Sequence, residues 1–186
     1  MTQTLNELVR ADPFNPQPEF IVDDNNRDML NNLMYYLSRK EGSLNLNMGI
    51  IFSGGVGNGK TRMIECIQAV MEEFWMKKLC VFNATYIRDN YYETNNDDNY
   101  SLKHKLHTYR FIAINDIGME KNYSSGVNII QNILFDRYEK RLITHGTTNL
   151  SPKEFFKRYA DDKGRMVDRY NTMFNYVQAK GGSKRK

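Results

Sequence analysis

"MGIIFSGGVGNGKTRMIECIQAVMEEFW", Met48 to Trp75, holds three patterns in succession. Met48–Ser53 is a short apolar run of the buried-strand kind. Gly54–Thr61 is a glycine-rich loop, and after it Met63, Ile64, Ile67, Val70, Met71, Phe74 and Trp75 recur at helical spacing. The loop, GGVGNGKT, satisfies G-x-x-x-x-G-K-[ST] at every fixed position. Its glycines let backbone N–H groups turn inward around phosphate oxygens, and the following helix points its positive dipole end at the same place. The chemistry implied is nucleotide binding by a P-loop. Lys60 is expected at the β- and γ-phosphates, and the Thr61 hydroxyl at Mg²⁺. Gly54, Gly55, Val56, Gly57, Asn58, Gly59 and Arg62 complete the expected contacts to ATP or ADP.

Working outward, strands alternate with helices. A helix is expected over 25–40, with Met29, Leu30, Leu33, Met34 and Leu37 on one face. Further strands are expected at 79–83, 110–114, 142–148 and 175–179, and further helices at 127–141 and from a Ser-Pro start at 151–160. This order predicts an α/β fold, a three-layer αβα P-loop domain with a parallel five-stranded sheet, little or no C-terminal lid, and ligands at the carboxyl ends of the strands. At 186 residues the chain fits one domain, with 1–47 as an N-terminal segment and 48–186 as the nucleotide-binding core. The stretch YETNNDDNYSLKHKLHTY, 92–109, reads as the least structured region.

No apolar run approaches the roughly 20 residues of a membrane span, so a cytoplasmic protein with no membrane partner is expected. Cys66 and Cys80 lack metal or redox spacing and are expected to be buried free thiols. From Leu150 onward ten basic residues face four acidic ones, a net +6 in a chain of net +4. That imbalance suits a polyanion nearby, either nucleic acid or nucleotide phosphates held by a neighbouring subunit.

"FIAINDIGME", Phe111–Glu120, is the second strand end with chemistry in it. Four apolar residues put Asn115 at the metal-side position of a Walker-B candidate strand and Asp116 next, where resemblance to related ATPases implies the carboxylate that orients the attacking water. A second register makes Asp116 the metal-side acid and Glu120 the base. Asn115 supplies no negative charge, so Mg²⁺ is expected on Thr61, Asn115 or Asp116 according to register, and hydrolysis is expected to be slow.

These residues resemble the DnaC/IstB branch of AAA+ ATPases, the helicase loaders and transposition helpers. NDIGME is similar to that branch's Asp-Asp-Leu-Gly-x-Glu, differing at Asn115. THGTTNL is similar to its strand ending Thr-Ser-Asn-Leu, which implies a sensor-1 role for Asn149. RYADDKGRMVDRY resembles its arginine-bearing segment, which implies an arginine-finger role for Arg165 or Arg169 toward a neighbouring subunit. GGSKR is similar to its terminal motif and makes Arg185 a sensor-2 candidate. The resemblance implies a self-assembling ATPase of DNA replication, with single-stranded DNA and a replicative helicase or transposase as partners. A transposition helper, a small P-loop kinase, and an assembly module holding ATP as a structural ligand are the alternatives.

Competing readings stand beside several of these. Arg165 and Arg169 also suit a solvated helix face with Asp161, Asp162 and Asp168, and Arg137 suits a surface pair with Asp136 or Glu139. His104 and His107 read as part of a solvated turn. The stretch from Tyr86 through Tyr91, Tyr92 and Tyr100 to Lys105 suits either stacking on single-stranded bases or packing of tyrosines onto the sheet.

Overall fold

The computed structural model describes residues 22–24, 26–92, 97–122, 126–161 and 164–180. Five strands form one sheet: β1 (Gly49–Ser53), β2 (Cys80–Asn83), β3 (Phe111–Ile117), β4 (Ile143–Thr148) and β5 (Phe174–Gln178). All pairings are parallel, in the order β2-β3-β4-β1-β5, so β4 lies between the strand that feeds the P-loop and the strand that carries Asn115 and Asp116. A parallel sheet needs both faces covered. On one face lie α1 (Arg27–Leu37) and α2 (Lys60–Phe74). On the other lie α3 (Ala84–Asn90), α4 (Asp97–Thr108), α5 (Ile129–Glu139), α6 (Pro152–Tyr159) and α7 (Arg165–Met173). None of the described helices is long and apolar enough to cross a membrane.

Strand alternation explains the two cores. Ile50 and Phe52 of β1 join Met63, Ile64, Ile67 and Met71 of α2, whereas Ile51 between them joins Ile130, Ile133 and Leu134 of α5. The α1 residues Met29, Leu30, Leu33, Tyr36 and Leu37 bury in the same cluster as α2. The helix expected ahead of the nucleotide-binding core is therefore built into it. Opposite, Phe155 lies 4.9 Å from Tyr159 and 5.5 Å from Tyr170, ring centre to ring centre, and fastens α6 and α7 to each other.

Three expectations need correction. Residues 97–108, within the stretch read as the least structured, are helical because Leu102 and Leu106, four apart on one face, bury in the sheet–helix core. His104 and His107 consequently sit on a helix and not in a turn; His107 Nδ1 lies 2.6 Å from Asp136 Oδ2 and its Nε2 2.8 Å from Tyr91 Oη. Among the described residues Arg137 forms no surface pair. It is fully buried, donating from Nε to Thr144 Oγ1 (2.7 Å), from Nη1 to the Leu106 and Tyr109 carbonyls, and from Nη2 to the Ile143 carbonyl. It clamps the end of α4 and the start of β4 to α5, and burial pulls its pKa down to about 9. Both cysteines are free. Cys66 is buried, which pushes its thiol up to about 11, whereas Cys80 on β2 is only half-buried. Residues beyond Lys180, where the absence of a lid was expected, lie outside the described ones.

Candidate nucleotide site

The P-loop leaves β1 at Ser53 and enters α2 at Lys60. Gly57 and Gly59 hold φ of 84° and 80°, a left-handed backbone that side chains disfavour, and this double reversal wraps the loop on itself. Lys60 is 7% exposed, and its Nζ turns back into the loop, 2.7 Å from the Gly54 carbonyl and 2.6 Å from that of Gly55. An ammonium held at the centre of a backbone cradle suits phosphate oxygens. Thr61 and Val56 are exposed at the loop and helix start, while Arg62 turns along α2 to Glu65 at 2.8 Å. The Asn58 amide donates to the Ala179 carbonyl (3.1 Å) and the Ala179 N–H to the Ser53 carbonyl (2.7 Å), binding the end of β5 against the loop.

At the end of β3 the strand breaks its alternation. Ile114 pairs with Gly146 and Ile117 with Thr148, so Asn115 and Asp116 together oppose the single Thr147. This is a β-bulge, and Asp116 takes φ of 58° within it. Ile114 and Ile117 both point into the α5-side core. The two residues between them are thereby turned toward the other face, the one that carries α2. Three bonds fix the pair there. The Asp116 N–H donates to Thr147 Oγ1 (2.9 Å), the Thr147 hydroxyl donates to Asn115 Oδ1 (3.3 Å), and Asn83 Nδ2 donates to Asp116 Oδ2 (3.2 Å). Asn83 also caps α3, accepting from Thr85 N at 2.9 Å. Asn83 and Thr147 were missed in the sequence; the signal was available in their place as polar residues at the carboxyl ends of β2 and β4.

Asn149 follows β4 and lines a cavity of about 440 Å³ together with Ser53, Gly54, Gly55 and Tyr176. The Tyr176 hydroxyl is buried in that wall without a hydrogen-bond partner among the described residues. The loop backbone, Lys60 and this unpaired hydroxyl fit a polar, phosphate-bearing ligand.

Glu120 does not stand free as a base would. It is 4% exposed and accepts at Oε2 from Gly118 N (2.8 Å) and at Oε1 from Tyr159 Oη (2.5 Å) and Arg158 Nη2 (3.3 Å). Burial and this carboxylate push the Tyr159 phenol up. Glu120 thus ties the turn after β3 to α6.

The arginines separate. α7 leads into β5 at the amino edge of the sheet, and its first residue, Arg165, stands at the far end of the helix, about 12 Å along its axis at 1.5 Å per residue. Arg165 is exposed and pairs with Asp161 (3.1 Å), as the solvated-face reading has it. Arg169, one turn on, stacks 4.2 Å above the Phe135 ring and pairs with Glu139 (2.9 Å). Arg185 lies outside the described residues. Of the tyrosines, Tyr91 packs against the core, while Tyr86 and Tyr92 are about half exposed, at 53% and 51%, with Lys103 5.3 Å from the Tyr92 ring centre.

No family model matches the sequence, and no curated protein matches it. Solved structures do. DnaI is similar with a TM-score of 0.67 at 14% identity, over 94% of this chain and 94% of that one. The DnaC helicase loader is similar at 0.63 and 19%, over 87% of this chain and 93% of that one. AMPPCP-bound DnaA from Aquifex aeolicus is similar at 0.61 and 16%, over 87% of this chain and 49% of that one. With its P-loop on β1, its bulged acidic strand end on β3 and β4 between them, the chain has the DnaC-like P-loop AAA+ fold.

Proposed function

We propose that the protein binds Mg–ATP at Gly54–Thr61, hydrolyses it slowly, self-assembles through contacts across the nucleotide, and acts in DNA replication in the manner of a helicase loader. The observation that carries this reading is the bulge that turns Asn115 and Asp116 together onto the face of the P-loop helix. Lys60 and the loop N–H groups bind the phosphates. The Thr61 hydroxyl and the Asn115 amide oxygen are the groups that would hold Mg²⁺, which when bound neutralises charge on the β- and γ-phosphates. Because Asn115 is neutral and already accepts from Thr147, it holds the ion weakly. Asp116, steadied by Asn83, is the carboxylate that orients the attacking water and takes its proton at Oδ1 or Oδ2. Asn149 orients the same region from the end of β4, and exposed Arg165 suits a finger toward a neighbouring copy. Placement in replication is supported by the similarity of fold to a helicase loader and to DnaA, a likeness that also motivates single-stranded DNA as a partner.

A titration of Mg²⁺ against ATP turnover tests the assignment. Asp116→Asn is expected to lower turnover by about 10²- to 10⁴-fold, the usual contribution of a general base, with ATP affinity kept. Asn115→Asp is expected to lower the Mg²⁺ concentration needed for half-maximal turnover. Loss of Mg–ATP binding in Asp116→Asn would instead make Asp116 the metal-side residue and overturn the assignment.

A further inference from the structure

At the amino edge of the sheet, opposite the nucleotide site, lies a second and larger cavity of about 840 Å³. Arg39, Lys77, Arg110 and Arg141 line it, and no carboxylate does. Among the described residues none of these four cations forms an ion pair. Elsewhere on the surface basic side chains do find acids, as Lys140 finds Asp136 and Arg169 finds Glu139. Topology sets three of them out in a row. Lys77, Arg110 and Arg141 stand within three residues of the starts of β2, β3 and β4, which are consecutive in the sheet, so the row advances by about 4.8 Å per strand. Arg39, two residues past α1, lines the same cavity, its Nη1 donating to the Leu46 carbonyl (2.7 Å).

Aromatic rings are interleaved with these charges. The Arg39 guanidinium lies 5.9 Å from the Trp75 ring centre, and that of Arg110 5.7 Å from Phe111. Trp75 and Phe111 both line the cavity. Uncompensated like charges crowded at one edge raise the energy of the free protein and are relieved by a polyanion. A single phosphate would engage one or two of them, whereas a chain of phosphates engages the row. Ring faces between the cations add a platform for unpaired bases, which a duplex keeps stacked inside and an acidic peptide lacks.

We propose that this amino-edge cavity is a binding site for single-stranded nucleic acid, separate from the nucleotide site. The strand's phosphates lie along Lys77, Arg110, Arg141 and Arg39, and a base stacks on Trp75.

Trp75 is the single tryptophan in the chain, so its fluorescence reports occupancy of this cavity directly. The test titrates the full-length protein, without ATP or Mg²⁺, with oligothymidylate, with a duplex of equal length and with polyglutamate, over a range of salt. Four phosphate contacts on a single strand predict that log K falls with log salt at a slope of about −3. The variant Lys77→Gln/Arg110→Gln/Arg141→Asn removes three of them, with Asn at 141 because the backbone there has φ of 54°. Its slope is expected to fall to about −1 and its Kd to rise about a hundredfold at 0.1 M salt. Circular dichroism checks its fold, and Arg110→Gln alone, with an expected slope of about −2, serves if the triple variant does not fold. A Tyr86→Ala/Lys103→Gln variant is expected to bind as the parent does. Absence of Trp75 quenching by oligothymidylate overturns the proposal, as does parental affinity in the triple variant. Equal binding of polyglutamate makes the cavity a site for an acidic protein, and equal binding of duplex removes the single-strand assignment.

Discussion

Glu120 distinguishes a structural carboxylate from a catalytic one, and the structure sets the size of the effect. In Glu120→Gln the amide oxygen replaces Oε1 and keeps Tyr159 and Arg158, but the new NH₂ group faces the Gly118 N–H, donor against donor. Leaving one buried donor unsatisfied costs about 1–3 kcal/mol. The lost charge opposite Arg158 adds little, because that guanidinium is 30% exposed and screened by solvent. The total is about 2 kcal/mol. With an m value of about 2 kcal/mol/M in urea, the unfolding midpoint should drop by about 1 M. Glu120→Ala leaves the Gly118 N–H and the Tyr159 hydroxyl without a partner, while Arg158 Nη2 keeps the Glu120 backbone carbonyl, and should cost about 4 kcal/mol at about 1–3 kcal/mol per donor, a drop of about 2 M. Turnover by the folded Gln variant should stay within about tenfold of the parent, since the residue positions the turn behind Asp116 and touches no substrate, whereas loss of a general base costs about 10²- to 10⁴-fold. Urea unfolding followed by circular dichroism and steady-state ATP turnover are the assays. An unchanged midpoint with hydrolysis stopped would refute the reasoning and restore Glu120 as the base.

Arg165→Ala should leave ATP binding by an isolated subunit unchanged and lower turnover only in assemblies, with partial recovery on mixing with Lys60→Ala chains; no recovery at any ratio contradicts a site shared between subunits. Arg169→Ala should chiefly lower stability, because it removes the stack on Phe135, and an effect on turnover alone would contradict that. His145 is fully enclosed, its Nδ1 accepts from the Ile50 N–H, and burial lowers its pKa from 6.5 to about 4. The folded pKa lies below the unfolded one, so its contribution is complete above about pH 6.5 and is lost as pH falls toward 4, by about 3 kcal/mol. His145→Gln should flatten that part of the stability profile between pH 7 and pH 4.5; parallel profiles for parent and variant would contradict it.

How much of this was legible in the sequence follows from what kind of contact each feature uses. The P-loop and the flanking β1 and α2 are local patterns, and each took the form that its spacing implies. The helix over 97–108 hides because two leucines four apart are its only strong apolar signal among polar neighbours. Arg137 misleads because its carboxylate neighbours, Asp136 and Glu139, are near in sequence, while its true acceptors are Thr144, Leu106, Tyr109 and Ile143, brought in by tertiary packing. The period-two count along FIAIND places Asn115 on the α2 face, but it sends Asp116 to the other face. Only the bulge, a matter of register with β4, brings both there. For the same reason Asn83 could not be read as the partner of Asp116, since it lies on another strand. The cations of the amino-edge cavity are scattered along the chain and become a row only through the order of the strands.

The central claim is that the Gly54–Thr61 loop holds a nucleotide through Lys60, and calorimetric titration of Mg–ATP into the parent and into Lys60→Ala tests it most directly. The account predicts saturable binding of one ATP per chain by the parent and none by the variant, whose thermal unfolding without nucleotide should stay close to the parent's. Lys60 donates to the Gly54 and Gly55 carbonyls of its own loop and belongs to neither hydrophobic cluster, so its removal leaves the hydrophobic core intact. Equal ATP affinity in the two proteins would contradict the claim.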